Sequence, residues 1–480
     1  MKPTAVQVVS AQREKNKIRN RRIVLSTIAA IATAQAAAGL GTVRLSGENA
    51  LSIADRVFSA VSGKRLTDAK GYTAYYGKVH DGETELDDAV ALVFRAPKSY
   101  TGEDVVELSC HGGLFILQRV LRAVFNAGAV AAEGGEFTKR AFLNGKMDLS
   151  EAEAVMSLIS ASGEEARAAT LNALDGALSR EIGECRDELA RTAAFLAAWV
   201  DYPDDEIPEL SEEQMTETVS AVKYRLEKLL DGFDAGQAIL EGIDTAIVGR
   251  PNVGKSTLLN ALSGRERAIV TSVAGTTRDV LEETVRLGNI TLRLADTAGI
   301  RTDTDDEIEK IGVLRAKERF ERASLVLMVL DAEQGLSDDD KELLELCKSK
   351  NSIVIINKTD KEKMLSPEEV KAFMKDDNIV EISAKNRKGM AELTAMVEKV
   401  VGTAGFDPSA PLITTERQRG CVVKAVEHLA EALEGLSMGI TPDATNVCID
   451  CAVENLCVLT GEKATETIVN EVFKNFCVGK

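Results

Sequence analysis

The stretch Gly249-Arg250-Pro251-Asn252-Val253-Gly254-Lys255-Ser256 decides the fold of the middle of this chain. An apolar run over residues 243–248 precedes it, and a helix is expected over residues 257–262. A strand, a glycine-bounded loop ending in Lys-Ser and then a helix form the frame of a phosphate-binding loop. The glycines let backbone N–H groups wrap phosphate oxygens, and the helix N-terminus adds a favourable dipole. Asn252, Val253, Gly254 and Thr257 belong to this wrap. Lys255 supplies a point charge at the β- and γ-phosphates, and the Ser256 hydroxyl is a magnesium ligand.

Three further loops lie downstream, each after an apolar run. Asp296-Thr297-Ala298-Gly299 follows residues 290–295, which places Asp296 in the magnesium shell and Gly299 beside the γ-phosphate. Asn357-Lys358-Thr359-Asp360 follows residues 352–356. The Asp360 carboxylate can accept from N1–H and the 2-amino group of guanine, an arrangement adenine lacks. Ser383-Ala384-Lys385 follows residues 379–382 and would close over guanine O6. Between the first two loops lies Thr271-Ser272-Val273-Ala274-Gly275-Thr276-Thr277, in which Thr277 is the candidate second hydroxyl on magnesium. Four loops in order at strand ends imply GTP binding and hydrolysis. The residue after Gly299 is Ile300, where Ras-type enzymes keep a glutamine to orient water. Water must then be placed by another group, and a carboxylate among residues 303–309 is one candidate. Most of those acids read as a solvated helix start.

Working outward, residues 243–401 alternate short apolar runs with helix-length amphipathic segments, the pattern of a doubly wound parallel sheet. Residues 26–146 alternate strand-like runs with glycine turns and read as a compact α/β domain. From residue 150 to 240 Ala, Leu and Glu recur at helical spacing, until Asp201-Tyr202-Pro203 breaks the pattern. Helical composition returns after Pro411. The expected fold is thus α/β and α. A basic extension (1–25) precedes an N-terminal α/β domain (26–146). A helical domain in two halves (147–241 and 403–480) is interrupted by an inserted Ras-like doubly wound P-loop domain (242–402). A separate small C-terminal domain is the alternative.

A chain of 480 residues exceeds a single core. Its net charge of -18 argues against a broad, sequence-independent nucleic-acid surface, so an RNA contact would be a local patch or a partner's. Eight cysteines without a disulfide framework read as reduced thiols, and no apolar run approaches the ~20 residues of a membrane span. The expected location is cytoplasmic, with no membrane partner. Lys2, Arg13, Lys15, Lys17, Arg19, Arg21 and Arg22 stand against Glu14 alone in the first 22 residues. A disordered arm or an upstream start codon is preferred there over an organelle presequence. Cys448, Cys451 and Cys457 lack a second Cys-x-x-Cys pair or a nearby His, so zinc is disfavoured. His111, before two glycines at a helix start, reads as structural ahead of catalytic base.

Motifs outside the nucleotide loops carry a family resemblance. They are Ser99-Tyr100-Thr101-Gly102-Glu103-Asp104, Cys110-His111-Gly112-Gly113, Glu136-Phe137-Thr138-Lys139-Arg140-Ala141-Phe142-Leu143-Asn144-Gly145-Lys146, Val200-Asp201-Tyr202-Pro203 and the terminal Phe476-Cys477-Val478-Gly479-Lys480. With them the chain resembles the MnmE/TrmE tRNA-modification GTPases over essentially its whole length after residue 25. The resemblance implies that Glu309 positions the hydrolytic water, although the loop before it is slightly longer than in common members. It implies potassium in the place of an arginine finger, held by the Asn252 side chain and the backbone carbonyls of Thr271, Val273 and Thr276. That all-oxygen set suits a hard cation.

The same resemblance implies a folate-binding N-terminal domain that forms a constitutive homodimer. Its tetrahydrofolate derivative, in the 5-formyl or methylene form, would be held by Arg44, Glu107, Lys146 and Lys480. A carboxylate suits the pterin amide and amine, and cations suit the glutamate tail. Cys477 would be a functional thiol there, with a buried inert thiol as the equal alternative. The family's Pro- and Gly-rich loop is replaced by Ala34-Gln35-Ala36-Ala37-Ala38-Gly39-Leu40. The implied function is a potassium-stimulated GTPase that modifies carbon 5 of the tRNA wobble uridine. It would act with an MnmG/GidA-type FAD-dependent protein in a heterotetramer or larger assembly. The rival from another class is a GTP-dependent ribosome-assembly switch. Such switches usually append an RNA-binding domain, whereas this C-terminus is acidic and helical.

Overall fold

The computed structural model describes residues 26–201, 212–263, 283–294, 320–374, 377–439, 441–474 and 476–479. The chain forms two compact units, Met1–Ala152 with Gly461–Lys480, and Glu153–Thr460.

The first unit is built on seven strands: β1 (Ile28–Ile31), β2 (Leu40–Ser46), β3 (Phe58–Ala60), β4 (Thr73–Asp81), β5 (Thr84–Phe94), β6 (Val105–His111) and β7 (Val130–Ala131). Their order is β3-β4-β5-β6-β2-β1-β7, antiparallel throughout except for β1 with β7. Side chains alternate across a strand, so β5 turns Ala89, Ala91 and Val93 inward and leaves Val90 exposed. The inward set packs with Val43, Leu45, Val106 and Leu108 under helices α1 (Ala50–Val57) and α2 (Leu114–Asn126), which contribute Ala54, Leu117, Val120 and Val124. A third helix, α3 (Glu136–Leu143), buries Phe137 against Ile28 and Ala30. The C-terminal tail belongs to this unit. Phe473 and Phe476 lie with ring centroids 5.0 Å apart, Phe142 is 6.5 Å from Phe473, and Val478 bridges to Gly134.

The boundary between the units falls inside α4 (Leu149–Ser160), which is followed by α5 (Glu164–Leu174). In the second unit, α6 (Ala177–Asp201) and α7 (Glu212–Asp231) precede the short α8 (Phe233–Glu241). The inserted sheet follows, with strands β8 (Ile243–Val248), β9 (Glu283–Leu287), β10 (Ile290–Leu294), β11 (Leu325–Asp331), β12 (Ser352–Asn357) and β13 (Ile379–Glu381). Their order is β13-β12-β11-β8-β10-β9, parallel except for the β9–β10 hairpin. Every residue of β11 and β12 is buried, as continuous apolar runs demand when both faces of a parallel sheet are covered. Leu325, Leu327, Val329, Ile353 and Ile355 face one layer, and Val326, Met328, Leu330, Val354 and Ile356 face the other. Helices α9 (Lys255–Ser263), α10 (Asp338–Cys347), α11 (Pro367–Lys371) and α12 (Met390–Val400) accompany this sheet.

Two long helices, α13 (Glu416–Ser437) and α14 (Pro442–Thr460), then complete the bundle. Leu178, Ile182 and Leu189 of α6, Val219 and Leu226 of α7, Val422 and Leu429 of α13, and Ile449 and Leu456 of α14 share one core. Helices on either side of the insert therefore share one core as far as Leu459, whereas residues 461–480, expected in the second helical half, belong to the first unit. The Arg417 guanidinium clamps the base of the bundle: it donates twice to Glu153 (2.7 and 2.8 Å) and caps the Val458 and Leu459 carbonyls.

Candidate functional site

The phosphate loop runs from the end of β8 to the first turn of α9. Gly254 sits at φ +103°, and a Cβ there would lie 2.3 Å from the Asn357 Nδ2 atom, so glycine alone fits between loop and neighbour. Asn252 takes φ +63°, a left-handed conformation that asparagine tolerates better than most residues, and its side chain is exposed. The Lys255 ammonium folds over the loop and donates to the Gly249 and Arg250 carbonyls, each at 2.7 Å. Burial lowers its pKa from the ordinary lysine value. Val253 is buried, whereas Ser256 and Thr257 are exposed on the first turn of α9.

The base-recognition loop is joined to the phosphate loop through one buried side chain. Asn357 donates from Nδ2 to the Val253 carbonyl (3.0 Å) and accepts the Ala384 N–H on Oδ1 (3.0 Å). The first, third and fourth expected loops thus meet at Asn357. Lys358, at φ +65°, donates to the buried Asp331 carboxylate (2.6 Å), and the Thr359 N–H donates to the Ile382 carbonyl (3.2 Å). The Ser383 hydroxyl donates to Asp360, and this bond holds the Asp360 carboxyl below its usual range. It also favours the ionised form of the carboxylate, whose oxygens can only accept hydrogen bonds. Ala384 is buried beneath the loop, and Lys385 is exposed. Residues 271–277 and 296–299, Glu309 and Lys480 lie outside the described residues.

Sequence reasoning did not single out Arg250, Asp331 or Asp340. Arg250 pairs with the buried Asp340 on α10, and Asp331 receives Lys358. A signal for Asp340 existed, because Ser337 three residues earlier makes a capping box with it.

In the first unit, Arg44 on β2 stands opposite Glu107 on β6 in register, with Nε 2.8 Å from Glu107 Oε1. Arg44 Nη1 donates to the Gly479 carbonyl (3.2 Å), and its guanidinium carbon lies 5.8 Å from the Tyr100 ring centroid and 5.6 Å from that of Phe137. Burial raises the Tyr100 pKa, and its hydroxyl shares a 2.9 Å hydrogen bond with Thr138. The family stretch beginning at Glu136 is anchored by Arg140, buried and paired with Glu103 and Glu136. Arg44, Glu107 and the tail are thereby brought together. Lys146 stands over the neighbouring loop, where its ammonium donates to the Pro97 carbonyl (3.2 Å). Cys477 is half-buried, and its carbonyl accepts from Gly135 N–H (3.2 Å). His111 is exposed and bonded through Nδ1 to Asp87 (2.7 Å). The Ala38–Gly39 segment of the altered loop is pinned to Gly112.

Among the described residues no helix is long and apolar enough to cross a membrane. Among them, no group of three or more His, Cys, Asp or Glu side chains is placed to hold a metal ion.

A parallel sheet with a glycine- and lysine-bearing loop at one strand end, joined through Asn357 to the loops that carry Asp360 and Ala384, defines a P-loop GTPase. Comparison with known proteins carries this further. The chain matches the model of the MnmE helical domain over residues 149–477, and that of the GTP-binding protein TrmE N-terminus over residues 27–146. The tRNA modification GTPase MnmE of Clostridioides difficile is 40% identical over 455 residues, covering 95% of this chain and 99% of that protein. Its namesake in Thermoanaerobacter pseudethanolicus is 39% identical over 461 residues, covering 95% and 100%. The one in Bacillus licheniformis is 40% identical over 460 residues, again covering 95% and 100%. The chain belongs to the MnmE family of tRNA modification GTPases.

Proposed function

We propose that this protein is a cytoplasmic, potassium-stimulated GTP hydrolase. As a homodimer, and with an MnmG/GidA-type FAD-dependent partner, it adds an aminomethyl or carboxymethylaminomethyl group at carbon 5 of the tRNA wobble uridine. The observation that carries the reading is the Arg44–Glu107 pair, covered by the Gly479 carbonyl in a chain that also bears the guanine-nucleotide loops.

In the nucleotide site Lys255 meets the β- and γ-phosphates, and Ser256 is free on its helix turn to ligate magnesium, with Thr277 as its companion. Magnesium supplies charge neutralisation at the phosphates when bound. The exposed Asn252 carbonyl suits potassium, with Thr271, Val273 and Thr276 completing the set. Glu309 orients the attacking water, in place of the glutamine that Ile300 replaces.

In the first unit Glu107 keeps one oxygen for a pterin amine while Arg44 occupies the other. A tetrahydrofolate derivative supplies the one-carbon unit when bound, Lys146 and Lys480 suit its glutamate tail, and Cys477, two residues before Gly479, is the functional thiol. Homodimerisation is supported by exposed Tyr72, Tyr76 and Val90 on β4, its flank and β5. Such an apolar strip marks interaction surfaces.

The test is calorimetric titration with 5-formyl-tetrahydrofolate, wild type against Glu107→Ala. Binding by the wild type and a loss of about tenfold or more in the variant are expected for a charge-assisted contact. An absence of wild-type binding would refute the N-terminal assignment and favour the assembly-switch alternative. Equal turnover in sodium and in potassium would remove the cation from this reading.

A further inference from the structure

Arg250 follows the first glycine of the phosphate loop, but its guanidinium reaches across to α10. Nε donates to Asp340 Oδ1 (2.9 Å) and Nη2 to Asp340 Oδ2 (2.8 Å), a two-pronged pair, and Nη2 also reaches Gln334 Oε1 (3.3 Å). The Asp340 side chain is 2% exposed. It further accepts from the Ser337 backbone N–H (3.1 Å) and hydroxyl (2.8 Å), which closes the cap of α10. A carboxylate so buried requires good partners, and an arginine fork fixes both distance and plane. The other side of Arg250 faces the chemistry, since its carbonyl is one of two that hold the Lys255 ammonium.

The connection that receives Arg250 also receives the base loop. Asp331, at the end of β11, takes the Lys358 ammonium (2.6 Å) and accepts the Glu333 N–H (3.1 Å), while Gln334 N–H donates to its carbonyl (3.1 Å). Residues 331–340 therefore hold both ends of the nucleotide site from behind.

We propose that Arg250 and Asp340 are positioning residues for nucleotide binding: their fork sets the phosphate-loop backbone from which Lys255 is hung. The loop's geometry is set equally for GTP and GDP, so loosening the fork weakens ground-state and transition-state binding alike.

The test is Arg250→Lys, which keeps a positive charge beside Asp340 but cannot form the fork. Dissociation of a fluorescent GDP is expected to quicken about 5- to 10-fold, and KM for GTP to rise by a similar factor, with kcat within about twofold. The melting temperature without nucleotide is expected to fall by no more than about 5 °C. A pair with only a folding role would give the reverse, a lowered melting temperature with unchanged GDP dissociation, and that result overturns the proposal. Arg250→Gln combined with Asp340→Asn removes both charges while keeping a hydrogen bond, and guards against misfolding of the lysine variant. The same loosening is expected of it, and unchanged dissociation in this double variant overturns the proposal as well.

Discussion

Asn357 illustrates how much one buried amide does. It is 2% exposed, and its two ends satisfy one acceptor of the phosphate loop and one donor of the guanine loop. The loops at residues 249–256, 357–360 and 383–385 were legible in sequence because each follows an apolar run and carries a few residue types at fixed spacing. Their supports were not. Asp331 and Asp340 meet partners 27 and 90 residues away, and no local pattern announces which cation a buried acid will take. His111 shows a related limit: its glycine neighbours suggest structure, but its Asp87 partner lies on another strand. The hydrogen bond that the imidazolium donates to Asp87, then the carboxylate's charge, raises the His111 pKa above the ordinary histidine value. A raised folded-state pKa means that the pair's contribution to stability is complete below about pH 6.5, the unfolded value. It is lost as pH rises through the folded value. Asp87→Asn should return the imidazole to its ordinary range in an NMR titration of the ring protons. Identical titration in wild type and variant would show that the carboxylate does not act on the ring.

At the scale of elements, the buried strands of the inserted domain follow the apolar runs closely. Residues 325–330 of β11 are apolar without a break, because strands covered on both faces need no polar alternation. The long β4 carries the opposite signature. Its burial alternates with exposure over Thr73–Asp81, so it presents no run at all. The β9–β10 hairpin has a role that periodicity cannot reveal. It connects the stretch ending at Thr277 to the loop beginning at Asp296, and its turn touches the helical domain. The Ser162 and Thr291 hydroxyls share a 2.7 Å hydrogen bond, and Asn289 Nδ2 donates to Glu165. Ala166 and Ala169 of α5 lie in the same core as Val285, Ile290 and Leu292. A shift of the hairpin between nucleotide states would be felt first at the α4–α5 junction. Combining Asn289→Ala with Ser162→Ala should leave basal GTP hydrolysis within about twofold while shrinking the GDP-versus-GTP-analogue difference in hydrogen exchange at residues 160–166. An undiminished difference would place the relay elsewhere.

At the scale of the whole molecule, the feature that links the most distant residues is the tail. The family resemblance pointed to Phe476–Lys480 as functional, but nothing in the sequence says where a terminus lands. It lands on the first unit through three kinds of contact. Phe476 is 8% exposed and packed on Phe473, an anchor whose truncation to alanine costs about 3 kcal/mol in a typical core. Val478 adds a strand bridge to Gly134, and the Gly479 carbonyl accepts from Arg44, 435 residues away in the chain. Gly479 is the position that permits this approach: its φ is +100°, and a Cβ there would stand 2.5 Å from the Ile31 carbonyl oxygen. Gly479→Ala must therefore move the tail off β1 while leaving the Phe476 anchor intact. The consequence is local, because Arg44 keeps Glu107 and loses only its backbone acceptor. We expect this variant to bind 5-formyl-tetrahydrofolate about tenfold more weakly by calorimetry, with basal GTP turnover unchanged, since the nucleotide loops belong to the other unit. Retention of full folate affinity would mean that the tail carbonyl has no part in shaping the Arg44–Glu107 site, and a parallel loss of GTP turnover would mean that the substitution disturbs the fold beyond that site.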